Sequence, residues 1–292
     1  MTIVRETNLP DLVHRGKVRD TYDWGEGRLL MLATDRISAF DVVLPNVIPD
    51  KGAVLSQMSG FWFRRTKDLV PNHLLALGTE CVEAIGLETE LARRAMVVRQ
   101  AQRIDVECIV RGYIAGSAWA EYRKSGTLFG QPIDAGLAEG DRFEQPLFTP
   151  TTKAEVGHDL PMSKSDVINM IGIETANEIE EKSIAVYEHA RIYAAQHGII
   201  IADTKMEFGW IDGELNLIDE LVTPDSSRFW DSRGYGPGKP QPNFDKQFVR
   251  DWLDAEGWDR TPPPPTLPNN IVNKTRQRYI DVFNTLTGGS LV

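Results

Sequence analysis

The sequence predicts an α+β protein in two parts, a β-rich part over residues 1–104 and a larger mixed part over residues 105–292. Short apolar runs and a single helical pattern fill the first part, whereas longer helical patterns recur in the second. The polar stretch 100–105 lies where the composition changes, as expected of a hinge between two lobes. A length of 292 residues leaves room for two such units.

In the first part, the apolar run 29–33 predicts a short strand, and residues 95–99 predict a second one. Residues 54–69, between them, predict a helix, because bulky apolar side chains recur there at helical spacing. We expect these side chains to belong to the core: Leu55, Met58, Phe61 and Trp62.

In the second part, residues 106–110 predict a strand. Residues 174–197 predict a helix, which has acidic residues early and ends before Gly198. The apolar run 199–201 then predicts a buried strand. We expect the helix to pack beneath the hairpin that follows this strand.

Three patterns close the chain. Residues 244–258 predict an amphipathic helix, and residues 271–286 predict a final helix. Residues 261–268, between them, contain four consecutive prolines, which favour an extended connector.

Charged side chains concentrate around two short strands, residues 205–211 and 215–221. Asp203 precedes the first strand, which carries Lys205 and Glu207 on one face. A concentration of carboxylates with a lysine, in place of apolar residues, indicates a site for a metal ion and a phosphate. The alternative is an exposed hairpin whose acidic side chains are solvated.

The turn between these strands decides which residues face each other. A three-residue loop, residues 212–214, places Glu207 opposite Asp219, where two bare carboxylates would need a cation between them. A two-residue loop, residues 212–213, places Met206 opposite Asp219 instead. The apolar pattern fits the second register slightly better, and the sequence leaves both open.

Near the beginning of the chain, Gly16 and Lys17 lie between two β-like segments. A glycine lets a backbone approach a phosphate closely, and a lysine supplies a point charge for it. Because the segment is neither a GxxxxGK[ST] loop nor a GxGxxG loop, a plain charged hairpin is the alternative.

Composition excludes several classes of function. A formal charge of −10 argues against a general nucleic-acid-binding protein. Neither an apolar run of about 18 residues nor a signal-peptide pattern is present, so we expect no membrane association and a cytoplasmic location. The two cysteines, Cys81 and Cys108, lack metal-ligand spacing and predict reduced core residues. The oligomeric state is not determined by the sequence.

Ordered blocks across nearly the whole chain together resemble the SAICAR synthetase (phosphoribosylaminoimidazole-succinocarboxamide synthase) family, in its longer form. The blocks are Gly16-Lys-Val-Arg-Asp20, Thr34-Asp-Arg-Ile-Ser-Ala-Phe-Asp41, Pro49-Asp-Lys-Gly52, Val106-Glu-Cys-Ile-Val-Arg-Gly-Tyr-Ile-Ala-Gly-Ser117, Phe148-Thr-Pro-Thr-Thr-Lys-Ala-Glu155 with Gly157-His-Asp159, Asp203-Thr-Lys-Met-Glu-Phe-Gly209 and Asp219-Glu-Leu-Val-Thr-Pro-Asp-Ser-Ser-Arg-Phe-Trp230.

The resemblance implies a two-lobed α+β fold with the nucleotide between the lobes. It also implies a carbon-nitrogen ligase of purine biosynthesis that uses ATP and Mg²⁺. Such an enzyme joins L-aspartate to the carboxylate of carboxyaminoimidazole ribonucleotide (CAIR) and releases ADP and phosphate. Phosphoryl transfer would turn the CAIR carboxylate into an acyl phosphate, which the aspartate amine can attack.

The resemblance also implies roles for individual residues. Glu207 and Asp219 resemble the Mg²⁺ ligands, and Lys205 and Asp203 are the expected catalytic residues. The expected ATP phosphate-binding residues are Gly16, Lys17 and Arg19. Those expected to bind the 5′-phosphate of CAIR are Arg111, Ser117 and Arg228. Loops expected to line the imidazole or aspartate pocket contain Ser38, Asp41, Lys153, Glu155 and Asp159.

Several alternatives stay open at this point. Asp203 and Lys205 would form a structural ion pair at a strand end, or Arg228 would cap a neighbouring helix. His158 is the histidine nearest these residues, and a hydrogen-bonding role in its loop is as plausible as catalysis. A small-molecule kinase would use the same metal-binding hairpin with a hydroxyl-bearing acceptor and no aspartate. A non-catalytic nucleotide sensor would have no use for Lys205.

Overall fold

The structure is a computed structural model, and it describes residues 3–128, 131–153 and 159–292. The first part of the chain is rich in strands and has one long helix. Its elements are β1 (Leu12–Arg15), β2 (Arg19–Asp23), β3 (Arg28–Ala33), β4 (Arg36–Ala39), β5 (Val42–Val47), α1 (Lys51–Thr66), β6 (Leu74–Leu77), α2 (Val82–Ile85), α3 (Thr89–Ala92), β7 (Ala95–Arg99) and β8 (Gln102–Arg103).

The second part mixes helices and strands. Its elements are β9 (Val106–Tyr113), α4 (Gly116–Ser125), β10 (Thr127–Leu128), β11 (Gln131–Pro132), β12 (Arg142–Phe148), β13 (Thr151–Thr152), α5 (Lys164–Ile171), α6 (Ile173–Gln196), β14 (Ile199–Ile211), β15 (Glu214–Ile218), β16 (Ser227–Asp231), α7 (Gln247–Ala255) and α8 (Asn269–Thr287).

Each part has its own antiparallel sheet. The first sheet has the order β1-β2-β3-β7-β6, and β4 and β5 form a separate hairpin. In the second sheet, β14 lies between β9 and β15 and also pairs with β16 and β8. The α+β fold class is therefore confirmed, and β14 is the strand to which most of the second sheet is attached.

The apolar core is continuous between the two sheets. Trp62 of α1, Met96 of β7, Val106 of β9 and Phe208 of β14 belong to one buried cluster. Because the boundary at residue 104 separates two sheets that share a core, the division into 1–104 and 105–292 stays a prediction. Cys81 and Cys108 are free thiols, as the sequence predicts.

Helix α6 packs against β14 and β9, and its predicted position beneath the hairpin of β14 and β15 stays a prediction. The hydroxyl of Tyr187 in α6 donates a hydrogen bond of 2.8 Å to the carbonyl oxygen of Ile201 in β14. Gly112 in β9 permits this approach, because a Cβ atom there would lie 2.0 Å from the Tyr187 hydroxyl. The helix thereby fixes β14 from below.

Several predicted elements have different bounds. Helix α1 (Lys51–Thr66) begins and ends three residues before the predicted 54–69, and β15 (Glu214–Ile218) ends three residues before the predicted 221. Residues 199–201 and 205–211 belong to one strand, β14, because Asp203 and Thr204 pair with β9 and β16 although they are polar. Helix α7 is shorter than the predicted 244–258. Phe244 donates its N–H to the carbonyl of Phe229 at 2.9 Å, and Asp245 accepts the N–H of Phe229, so both residues bind β16 instead.

The carboxy-terminal segment attaches to both parts of the chain. Residues 259–268 lack helix and strand, in line with the predicted extended connector. In α8, Arg276 lies 2.6 Å from Asp50 beside α1, and the Tyr279 hydroxyl lies 2.7 Å from Asp225. Within the ranges that the structure describes, no helix has both the length and the apolar character needed to cross a membrane.

Candidate active site

Strand β14 aligns three of the predicted site residues. Because side chains alternate along a strand, Asp203, Lys205 and Glu207 lie on the same side of β14. Asp203 and Glu207 are each 4% exposed. Charged side chains that are buried in a sheet require partners of opposite charge, and the neighbouring strands supply them.

Asp203 is the centre of an arginine cluster, which comprises Asp203, Arg111, Arg228 and Ser117. The strand register places Arg111 and Arg228 directly opposite Asp203, on its two sides. Both donate hydrogen bonds to the Oδ2 atom of Asp203, Arg111 at 3.0 Å. Arg111 also donates to the Ser117 hydroxyl at 3.3 Å. The four residues that the sequence predicted at separate positions therefore meet at one place.

The amino terminus of α4 faces this cluster. A Cβ atom at Gly116, the first residue of α4, would lie 2.0 Å from the Nη2 atom of Arg228, so only glycine fits there. A guanidinium near a helix amino terminus meets the positive end of the helix dipole, so Arg228 does not act as a cap for α4 at this end. Two arginines, one carboxylate and a helix amino terminus favour a bound anion.

A second group of charges, the lysine-glutamate cluster, comprises Lys205, Lys153, Glu207 and Glu107. The Nζ atom of Lys205 lies 2.7 Å from Oε1 of Glu107 and 3.0 Å from Oε1 of Glu207. Lys153 also pairs with Glu207 and lies 3.6 Å from Glu107. Lys205 therefore has glutamate partners and no ion pair with Asp203 among the described contacts.

These contacts keep both kinds of side chain charged. Burial alone raises the pKa of Glu207, but Lys205 and Lys153 outweigh it and lower that pKa to about 2. Burial alone lowers the pKa of Lys205, but Glu207 and Glu107 raise it well above its ordinary value. Near neutral pH, Lys205 is thus a fixed cation and Glu207 a fixed carboxylate.

The hairpin has the two-residue loop. Ile211 pairs with Glu214, and Glu207 pairs with Ile218, so the register that places Glu207 opposite Asp219 is not the one adopted. Asp219 follows the last residue of β15 and has a φ of 67°, in the left-handed region that aspartate tolerates better than most residues. This left-handed conformation, which the sequence could not reveal, directs the carboxylate of Asp219.

Arg19 links Asp219 to the first sheet. Its guanidinium hydrogen-bonds Asp219 and lies 3.4 Å from Glu220. Burial alone lowers the pKa of Arg19, but Asp219, Glu220 and Glu207 raise it above its ordinary value. Glu207 and Asp219 therefore both act electrostatically on the same guanidinium. Arg19 points toward these acids, whereas Lys17, also predicted to bind phosphate, lies on the exposed turn.

The acidic residues fit a hard cation. No group of three or more His, Cys, Asp or Glu side chains in residues 3–128, 131–153 and 159–292 forms a ready metal site. Mg²⁺ is commonly held by one or two carboxylates, with phosphate oxygens and waters completing its coordination. Glu207 and Asp219 supply two such groups, and each is paired with a positive side chain, Glu207 with Lys153 and Asp219 with Arg19.

The turn that contains Gly16 and Lys17 lies between β1 and β2. The Gly16 N–H donates to the Arg19 carbonyl at 2.7 Å, which closes the turn. The exposed Lys17 ammonium lies 2.6 Å from Asp41, which follows β4. Two of the predicted pocket residues, Ser38 and Asp41, therefore belong to the hairpin of β4 and β5 beside this turn.

A cleft of about 450 Å³ opens beside Asp41. It is lined by Phe40, Asp41, Asp259, Arg260 and Thr261. Of the other predicted pocket residues, Lys153 belongs to the lysine-glutamate cluster and Asp159 is exposed. Glu155 and His158 lie outside the described residues.

Sequence reasoning missed two charged residues here. Glu107 binds Lys205, and the signal for it was a carboxylate in the otherwise apolar strand that also carries Arg111. The sequence assigned no role to Arg36, although Arg36 is buried and donates hydrogen bonds to the carbonyls of Gly16 and Lys17. Its partners come from distant parts of the chain, so spacing alone gave no signal.

Comparison with known proteins agrees with this geometry. The family described as SAICAR synthetase matches residues 12–265. The phosphoribosylaminoimidazole-succinocarboxamide synthase of Thermodesulfovibrio yellowstonii is 50% identical over 289 residues, which are 98% of this chain and 99% of that protein. The protein of the same name from Geobacter sulfurreducens is 49% identical over 291 residues and 98% of both chains.

Solved structures agree as well. The SAICAR synthase from Saccharomyces cerevisiae in complex with SAICAR has a TM-score of 0.87 and 41% identity, covering 98% of this chain and 99% of that chain. A SAICAR synthetase in complex with ADP has a TM-score of 0.72 at 22% identity, covering 95% and 98%, and shows the fold alone. The match over most of the chain and the identity of about half to whole relatives show that this chain belongs to the SAICAR synthetase family.

Proposed function

We propose that this protein joins L-aspartate to the carboxylate of CAIR, with the conversion of ATP to ADP and phosphate, and so forms SAICAR in purine biosynthesis. Membership of the family supports this reaction. One observation supports this reaction most strongly. Strand β14 carries Asp203 of the arginine cluster and, on the same side, the charged side chains of Lys205 and Glu207.

The arginine cluster is assigned to the 5′-phosphate of CAIR. Arg111 and Arg228 offer planar donors that match phosphate oxygens, and the α4 amino terminus adds backbone N–H groups. Ser117 adds a hydroxyl within reach of Arg111. Asp203 holds both guanidinium groups in place at the phosphate end of CAIR, a position that does not fit its predicted catalytic role beside the acceptor carboxylate.

The ATP phosphates are assigned to the space between the turn at Gly16 and Lys17 and the acids of the hairpin. Glu207 and Asp219 would hold Mg²⁺, which supplies charge neutralisation to the phosphate oxygens when bound. Lys205 neutralises negative charge on the phosphoryl group during transfer to the CAIR carboxylate. Glu107 fixes the ammonium of Lys205 at 2.7 Å, so the charge is already in place before the reaction.

The resulting acyl phosphate would react with the amine of L-aspartate. The cleft beside Asp41 contains one arginine, Arg260, and two carboxylates, Asp41 and Asp259, so its charge does not favour a dicarboxylic amino acid. A small-molecule kinase is not favoured, because relatives about 50% identical over the whole chain are named as the ligase. We expect the reaction to take place in the cytoplasm, without nucleic acid or membrane.

The test follows ADP and SAICAR together from Mg-ATP and CAIR, with and without L-aspartate. We expect ADP release that depends on aspartate and matches SAICAR formation one to one. Replacing Lys205 by Met should lower kcat by roughly 100-fold or more, because the charge on the transferring group loses its partner. The exposed Lys164, which pairs with Glu180, provides the matched control in Lys164→Met. ADP release without aspartate or SAICAR would contradict the ligase and favour a kinase or an ATPase.

A further inference from the structure

Arg36 in β4 is a buried arginine whose three nitrogen atoms all donate hydrogen bonds. Its side chain is 9% exposed. Nε donates to the Lys17 carbonyl at 3.1 Å, and Nη1 donates to the Arg5 carbonyl at 2.6 Å. Nη2 donates to the Gly16 carbonyl at 2.9 Å and to Asp20 at 2.7 Å. Two of the four acceptors are therefore consecutive carbonyls of the turn between β1 and β2.

The next carbonyl of the turn is held from the same side. The N–H and the hydroxyl of Thr34, two residues before Arg36, both donate to the Val18 carbonyl at 2.9 Å. The carbonyls of Gly16, Lys17 and Val18 therefore all face residues 34–36. Residues 34–36 therefore anchor the backbone of the turn, while the exposed Lys17 side chain pairs with Asp41.

This anchoring fixes the direction of the N–H groups. In a trans peptide unit, the carbonyl and the following N–H point in opposite directions. Carbonyls of Gly16 and Lys17 that face Arg36 thus direct the N–H groups of Lys17 and Val18 to the opposite side. Across residues 3–128, 131–153 and 159–292, neither N–H has a hydrogen-bond acceptor. Successive free N–H groups form a concave site suited to a phosphate.

The positive charge of Arg36 is neutralised by the carboxylate of Asp20 and not by the carbonyls of the turn. Asp20, which is fully buried, accepts from Arg36 and also from the N–H of Thr7 at 3.0 Å and its hydroxyl at 2.9 Å. Since Asp20 is held independently, it fixes the position of the guanidinium. The direction of the N–H groups in the turn therefore depends on Arg36.

We propose that Arg36 is a positioning residue for the phosphates of ATP, acting through the backbone of Gly16 and Lys17. It does not touch the nucleotide itself, because its nitrogen atoms are used by the turn and by Asp20. This inference rests on the proposed function only in taking the turn as the nucleotide phosphate site. Removing Arg36 frees the carbonyls to rotate, so nucleotide binding should weaken while the binding of CAIR and aspartate should not.

The test compares Arg36→Met with Arg94→Met in the full-length protein. Arg94 is also fully buried and also pairs with a buried carboxylate, Asp35 at 2.8 Å, but it has no contact with the turn. Both variants lose a buried guanidinium, so both should lower the midpoint of thermal unfolding. We expect Arg36→Met alone to raise the KM for ATP, and the Kd for Mg-ADP measured by calorimetry, tenfold or more. The KM values for CAIR and aspartate should change less than twofold.

Two threonine substitutions with smaller expected effects test the same inference if Arg36→Met does not fold. Thr34→Val removes the hydroxyl that donates to the Val18 carbonyl and accepts the N–H of Arg36 at 3.4 Å, and Thr66→Val removes the hydroxyl that donates to the Trp62 carbonyl inside α1. Both threonines are fully buried. We expect two- to fivefold weaker binding of Mg-ADP by Thr34→Val and unchanged binding by Thr66→Val.

The outcomes separate this inference from the proposed ligase. Equal nucleotide affinity in the turn variants and their controls would overturn the role of Arg36, whatever the reaction. A wild-type protein that binds Mg-ADP but forms no SAICAR would contradict the ligase, and the comparison of affinities would still decide the role of Arg36. An equal rise in the KM of all three substrates would also overturn it, because that is the pattern of a general structural defect.

Discussion

Gly116 at the start of α4 and Arg228 in β16 lie so close that a methyl group on Gly116 would come within 2.0 Å of the Arg228 guanidinium. The Gly116→Ala substitution should therefore displace Arg228 and raise the KM for CAIR by about tenfold, since a charged hydrogen bond contributes roughly 1.5–3 kcal/mol. Steady-state kinetics with CAIR as the varied substrate measures this.

Gly126, at the other end of the same helix, is the matched control. Its φ of 67° resembles the 57° of Gly116, but no atom lies within 4 Å of the Cβ position. The Gly126→Ala substitution should cost about 1–2 kcal/mol of stability and leave the KM for CAIR unchanged. A larger KM effect from Gly126→Ala than from Gly116→Ala would contradict the assignment of Arg228.

Asp219→Asn should abolish most of the metal-dependent turnover. The change removes one of the two carboxylates assigned to Mg²⁺, so kcat should fall by roughly 100-fold or more while the fold persists. Activity measured over a range of Mg²⁺ concentrations, with circular dichroism as the check on folding, tests this. The control is Asp212→Asn, because Asp212 lies in the exposed turn of the same hairpin. Near-normal activity of Asp219→Asn at saturating Mg²⁺ would rule out the ligand assignment.

Glu207 should contribute a pH-dependent stabilisation. Its pKa falls from 4.5 to about 2 on folding, which corresponds to about 3 kcal/mol. Because the folded-state pKa is the lower one, the stabilisation is present above about pH 4.5 and is lost as the pH falls toward 2. Urea unfolding without Mg²⁺ or nucleotide should show Glu207→Gln less stable than the wild type at pH 7.

The difference in stability between the wild type and Glu207→Gln should shrink below pH 4.5, because protonation of Glu207 removes the charge that its ion pairs require. Glu214→Gln, on the exposed side of the same hairpin, should show no comparable pH dependence. A wild-type advantage over Glu207→Gln that is constant from pH 7 to pH 3 would show that the ion pairs of Glu207 do not stabilise the fold.

Tyr279→Phe should loosen the attachment of α8. The Tyr279 hydroxyl donates to the buried carboxylate of Asp225 at 2.7 Å, and its loss should lower the free energy of unfolding by roughly 1.5–3 kcal/mol. The control is Tyr122→Phe, whose hydroxyl donates to the Asp134 carbonyl at an exposed position. Equal destabilisation by the two substitutions, measured by urea unfolding, would count against a special role for Asp225.

The sequence predicted elements whose signals are local. The strand at Ala95–Arg99 has the predicted bounds, α6 differs from its prediction by a residue at each end, and Asp212-Gly213 forms the expected turn. Each depends on neighbouring residues: apolar periodicity, a glycine after a helix, or a turn dipeptide. The charged residues on β14 were singled out for the same reason, because their charges stand out in an apolar strand.

Other features depend on tertiary contacts, and the sequence could not specify them. Asp219 has a φ of 67°, and its carboxylate meets Arg19, which is 200 residues away in the sequence. The direction in which Arg19 points follows from the proximity of the two sheets. Arg36 binds carbonyls that any residue type would present, so only coordinates identify its partners.

The length of β14 sets a fixed distance inside the active site. Asp203 and Glu207 are four residues apart on a continuous strand, a separation of about 13 Å between their Cα atoms. A strand with neighbours on both sides does not stretch, so this distance stays constant if the two sheets move relative to each other. The strand thus keeps the arginine cluster, which we propose binds the phosphate of the ribonucleotide, at a constant distance from Glu207, which we propose holds Mg²⁺. The proposed ATP-binding turn belongs to the first sheet, so its distance from both is set by how the two sheets lie.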